Sequence, residues 1–190
     1  MSKLFIEDKT FLKVDFSKDL MIVGDYENCI FTNCDFSNSS LSNILFANCI
    51  FNGCNLCSTR ILKTAFQNVK FKDCKMLGLH FQDCNPFLLS FVFENCTLNL
   101  SSFYKLKLKK TSFKNSGLQE VDFSETDLSG SAFENCDLAK ATFDQTNLEK
   151  ADFRTSYNYS IDPELNRIEK AKFSLSGIIG LLNRYDIDVD

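Results

Sequence analysis

Nine cysteines, one histidine and a dense set of carboxylates are the residues of this chain best suited to chemistry. Thiolates and imidazoles at short fixed spacings bind zinc, and a Cys paired with a His makes a nucleophile. Here Cys29, Cys34, Cys49, Cys54, Cys74, Cys96 and Cys136 follow steps of five and twenty, with one turn of 22 residues between Cys74 and Cys96. That matches no zinc pattern and reads as small, core-facing residues. Cys57 falls on an outward position and reads as the one accessible thiol, while Cys84 lies in an irregular stretch that assigns it no side. His80 reads as solvent-facing. No phosphate-cradling glycine loop and no Cys–His pair is present. The expectation is a chain without cofactor, metal or catalytic centre: not an enzyme.

The carboxylates are concentrated. Residues 120–152 carry nine acids against Lys140 and Lys150, in a chain of net charge −4. Just before them, Lys105, Lys107, Lys109, Lys110 and Lys114 form a basic run. The N-terminal residues contain neither an apolar signal region nor a small-residue cleavage site, and no apolar run is long enough to span a membrane. The expectations are a cytoplasmic protein with reduced thiols, no membrane contact and no direct nucleic-acid binding.

What sets these spacings is a repeat. Apolar residues recur every fifth position from Phe11 through Phe16, Met21, Tyr26 and Phe31 to Phe81, shift phase by two, and continue from Leu88 through Phe93 to Phe153. A small residue stands two before each centre and Asp or Asn often one before. Two inward residues with one outward residue between them describe a very short strand followed by a corner. A second period of twenty, seen in Phe93, Phe113, Phe133 and Phe153, makes four faces per turn. Stacked turns then set like on like at the strand spacing of about 4.8 Å. The phase slip reads as a two-residue bulge near 82–87, containing Asn85, Pro86 and Phe87.

The division predicted is a single domain: 1–10 an N-terminal cap, 11–173 a solenoid of about eight coils of four five-residue faces, and 174–190 a C-terminal cap and dimerisation segment. In the last of these a short α-helix from about Ser176 to Tyr185 would carry Ile178, Ile179, Leu181, Leu182 and Tyr185. That is more apolar surface than one cap needs, so the segment is expected to join two copies into a homodimer.

The small–Asp/Asn–Phe/Leu–polar–polar unit resembles the pentapeptide-repeat family over about residues 11–178. The resemblance implies an all-β, right-handed quadrilateral β-helix. The IDP element (Ile161–Pro163) and the later GLLNRYDIDV look like the tail of the quinolone-resistance (Qnr) group, which implies a dimeric DNA mimic that binds DNA gyrase or topoisomerase IV. On that reading Asp122, Glu125 and Asp144 share one face of the rod, and Asp127 and Glu149 another. The competing reading is a rigid interaction scaffold with an unrelated partner. There Lys107, Lys109 and Lys110, beside the bulge, would meet an acidic surface.

Overall fold

A residue in the left-handed region lets the chain turn a corner every five residues. In the computed structural model, which describes residues 4–185 and 187, positive φ recurs two places after most inward centres. Examples are Asn28, Asn33, Asn38, Asn43 and Asn48, all between +52° and +63°. Asn tolerates this region better than most residues because its short polar side chain bonds locally. The residue before each centre closes the same corner. Asp35, Asn55, Asp122, Asp127, Asp137, Asn147 and Asp152 each accept the backbone N–H two residues on, at 2.9–3.2 Å. The Asp/Asn preference of the repeat is therefore a turn requirement.

Between corners lie short parallel strands. One sheet stacks β1 (Leu4–Glu7), β3 (Gly24–Glu27), β5 (Leu45–Ala47) and β7 (Ala65–Gln67) in that order. The other runs from β2 (Thr10–Leu12) through β4 (Ile30–Thr32), β6 (Ile50–Asn52), β8 (Val69–Lys72), β9 (Phe91–Glu94) and β10 (Ser112–Lys114) to β11 (Ala132–Glu134). The other faces are joined by single bridges such as Asp35↔Asn55 and Asp122↔Thr142. The chain is a quadrilateral β-helix. Among the described residues its ladder starts at Leu4, within the segment expected to be a cap.

The core is a set of stacked columns. Phe11, Phe31, Phe51, Phe71, Phe93, Phe113, Phe133, Phe153 and Phe173 lie ring on ring, with centroids 4.6–5.5 Å apart. Neighbouring columns meet edge to face, as Phe123 and Phe133 do at 5.9 Å and 85°, the geometry aromatic quadrupoles favour. The small inward residues also carry hydrogen bonds. The thiols of Cys34, Cys54, Cys74 and Cys136 and the hydroxyls of Thr126, Ser131 and Thr146 each donate to a carbonyl one coil below. Burial pushes Cys49 and Cys136 up to about 12, so these thiols stay protonated and inert.

The sequence reading put the phase slip near 82–87, and the ladder shows where the register changes. Asn85 N–H still bonds the Thr64 carbonyl in the ordinary register, whereas Val69 already pairs with Phe91, two residues late. The two extra residues therefore lie between Asn85 and Ser90. Leu88, expected to restart the inward comb, instead takes φ +55° and is 64% exposed. Phe91 replaces it in the core, 5.9 Å from Phe66. Cys84 is buried and Cys57 is partly exposed.

The C-terminal α-helix is corrected. Residues Ile178–Leu181 and Asn183–Tyr185 form two 3-10 turns, bonded at a spacing of three throughout. The cause is close packing on the last coil. Ile161 N–H bonds the Gly180 carbonyl at 2.9 Å, and Gly180 lies so near Tyr159 that a Cβ there would meet its carbonyl at 2.4 Å. The segment follows the coil beneath it and is not free to wind as an α-helix. The end of the Qnr-like tail, at Asp186 and 188–190, lies outside the described residues. Among the described residues no helix is long and apolar enough to cross a membrane.

Candidate interaction site

Among the described residues the interior is filled by the stacked side chains. Three surface grooves lie outside it: about 420 Å³ between Phe133 and Arg154, about 570 Å³ where Tyr157 and Tyr159 meet Ser176 and Gly180, and about 370 Å³ beside Arg60, His80 and Asp83. His80 is exposed, and its ring meets the Gln82 side-chain amide at 3.1 Å. Among the described residues no cluster of His, Cys, Asp and Glu could hold a metal ion.

Five of the nine acids of residues 120–152 are held in ion pairs between and within coils. Glu125 meets Lys105 at 3.3 Å and accepts the Tyr104 hydroxyl at 2.9 Å; Asp127 meets Lys109 at 3.3 Å; Glu134 meets Lys114 at 3.4 Å. Glu149 is paired with Arg167, and Asp152 with Arg154 and Lys172. The Arg154 guanidinium holds Asp152 below the usual carboxylate range. Asp122 and Asp144 do share a face with Glu125, whose N–H bonds the Asp144 carbonyl at 2.7 Å. However, Asp122 spends one oxygen on its own corner, at Ser124 N–H. Twenty-residue stacking brings bases of one coil over acids of the next, an outcome that counting charge along the sequence does not reveal.

The bulge and the basic run come together. Phe81 stacks under Phe103 and Phe93 under Phe113, so residues 105–110 lie in the coil directly over 85–90. Lys109 is engaged with Asp127, while Lys107 and Lys110 are exposed and form no salt bridge among the described residues. Phe87 is 66% exposed. Asn85 accepts the Phe87 N–H at 3.0 Å, and Leu89 packs inward against the core. The exposure of Leu88 was missed in the sequence because an apolar residue in phase with the comb reads as buried.

At the C-terminal end, Ile178, Ile179 and Tyr185 are each about half exposed, Leu182 is partly buried, and Leu181 turns to the core. Arg184 clamps the segment to the last coil through Asp162 at 2.7 Å and Glu164 at 2.9 Å.

Comparison with known proteins agrees with this architecture. The chain superposes on a trypsin-treated single-substitution variant of QnrB1, described as a plasmid-mediated fluoroquinolone resistance protein, with TM-score 0.58 and 18% identity over 100% of both chains. Full-length QnrB1 gives 0.49 and 18% over 96% of this chain and all of its own. HetL, a pentapeptide repeat protein involved in heterocyst differentiation regulation from the cyanobacterium Nostoc sp. strain PCC 7120, gives 0.44 and 12% over 92% and 86%. No curated protein sequence matches significantly. The family model "Pentapeptide repeat region" matches residues 25–92 and 88–158, well over half of the chain. With its four-sided coils and phenylalanine columns, the chain belongs to the pentapeptide-repeat family.

Proposed function

We propose that this protein is a non-enzymatic, protein-binding rod of the cytoplasm, which meets its partners through its outer faces. The observation that carries the reading is the filled interior. A column of stacked phenylalanines runs the length of the solenoid, and among the described residues no cluster of His, Cys, Asp and Glu could hold a metal ion. A rigid surface with regularly spaced side chains is then the functional part.

A second reading is favoured by the shared face of Asp122, Glu125 and Asp144. The Qnr resemblance implies a mimic of DNA that occupies DNA gyrase or topoisomerase IV, and QnrB1 is similar to this chain in fold. The ion pairs at Glu125, Asp127, Glu134, Glu149 and Asp152 argue against a free carboxylate stripe. Pull-down of gyrase and topoisomerase IV subunits, followed by a supercoiling assay, separates the two readings.

The rod is further proposed to be a homodimer joined through its C-terminal segment, where Ile178, Ile179 and Tyr185 leave apolar surface in water. Two copies about a twofold axis bury that surface. Ile178→Asp with Ile179→Asp is expected to give a monomer by light scattering with an unchanged melting curve. A wild type that is monomeric at micromolar concentration would rule the dimer out.

A further inference from the structure

We infer that the bulge between Asn85 and Ser90 is a docking anchor for an acidic protein segment bearing a large apolar side chain, with Phe87 and Leu88 as the anchor and Lys107 and Lys110 as its electrostatic rim. The inference rests on the protein-binding reading and assigns that reading a place and a partner chemistry. Three observations support it.

The first is the cost of Leu88. Of 25 described non-glycine residues at positive φ, only Leu88 and Leu100 are apolar; the others are Asn, Asp, Lys, Ser, Glu or Gln. A leucine there has a strained backbone and 64% of its surface in water, although an asparagine would suit the turn better. Beside it Phe87 is 66% exposed.

The second is preorganisation. Pro86 fixes its own φ, the Asn85 side chain holds the Phe87 N–H, and Leu89 is packed against the core. The Phe87 ring is thus presented on an ordered turn, which lowers the entropy lost on binding. Exposed aromatic anchors of this kind carry most of the energy of small interfaces.

The third is charge. Lys107 and Lys110, in the coil directly above, are exposed and free of salt bridges among the described residues. Asp127, bridged to Lys107 on the next coil, is engaged by Lys109. Acidic protein is favoured over nucleic acid because the exposed pair at the bulge includes the aliphatic Leu88, which an apolar side chain of a peptide covers and a sugar-phosphate backbone does not.

The test pans a library of random linear peptides against the full-length protein and measures the selected peptides by fluorescence anisotropy. The expected peptides carry Asp and Glu around one or two large apolar residues. F87S/L88S should weaken them by about tenfold or more. K107E/K110E should weaken them several-fold at low salt and much less at 0.5 M salt, where the screening length falls to roughly 4 Å. K75E/K140E makes the same charge change away from the bulge and should leave binding unaltered. Thermal melts of every variant should match the wild type, since the replaced side chains are exposed.

Selected peptides indifferent to both bulge variants would overturn the anchor and leave a protein-binding rod with another docking face. Recovery of no saturable peptide would count against the anchor and the protein-binding reading together. Tighter Lys107-dependent binding of a 15-nucleotide oligothymidine would replace the acidic protein with nucleic acid.

Discussion

Replacing Phe133 by alanine is expected to destabilise the rod by about 3–5 kcal/mol in denaturant melts, the range for emptying a buried phenylalanine site. Phe133 is 1% exposed and stacks at 4.9 Å on Phe113 below and 4.6 Å on Phe153 above, while Phe123 meets it edge-on. Coils above and below are held in register by the backbone ladder, so the cavity has little freedom to collapse. Glu134 is the next residue and points outward, where it meets Lys114 at 3.4 Å with both side chains about half exposed. An exposed pair of this kind contributes little, so Glu134→Ala should change stability by about half a kcal/mol or less. Equal effects at the two positions would mean that the inward and outward assignments are wrong.

Deleting Phe87 and Leu88 together should leave a folded solenoid, within about 1 kcal/mol of the wild type. The ordinary register holds up to Asn85 N–H with Thr64, and the column from Phe93 upward is in phase with itself. Removing two residues from the segment between them makes that turn the same length as the others. Removing two residues from a regular corner, such as Asn115 and Ser116, should have the opposite result. Asn115 carries the positive φ of its corner, and the Ser116 hydroxyl accepts the Cys96 N–H. Every later centre would be two places out of phase, and the cooperative melt of coils above Phe113 should be lost. A bulge deletion that unfolds the chain would show that the slip helps to hold the two halves together.

Much of this fold was legible in the sequence because its period is longer than that of any single element. The columns through Phe31, Phe51, Phe113 and Phe133 follow directly from spacings of twenty, and parallel pairing of the same residues is what the ladder shows. The bulge was legible through the Cys74–Cys96 spacing, since a column of small residues must stay in line. Leu88 was misread because hydrophobicity in phase was taken as burial, whereas its backbone sits at a left-handed corner. The C-terminal segment was misread because helical spacing of Ile178, Leu182 and Tyr185 was visible. The contact of Gly177 and Gly180 with Tyr159, which dictates the actual path, was not. The candidate site was half legible. Both the basic run and the acidic run were evident, but their pairing from coil to coil depends on which residues lie twenty apart and how far each side chain reaches.

That pairing is central to the functional account, and gyrase supercoiling measures its consequence most directly. Purified protein would be titrated into DNA gyrase and topoisomerase IV assays at low and ordinary ionic strength, together with D122K/E125K/D144K. If the pairs at Glu125, Asp127, Glu134, Glu149 and Asp152 break up the acidic surface and the rod docks proteins elsewhere, supercoiling and decatenation should proceed unchanged up to micromolar protein. Inhibition that weakens with salt and disappears in the triple variant would contradict the account and establish the Asp122 face as a mimic of DNA.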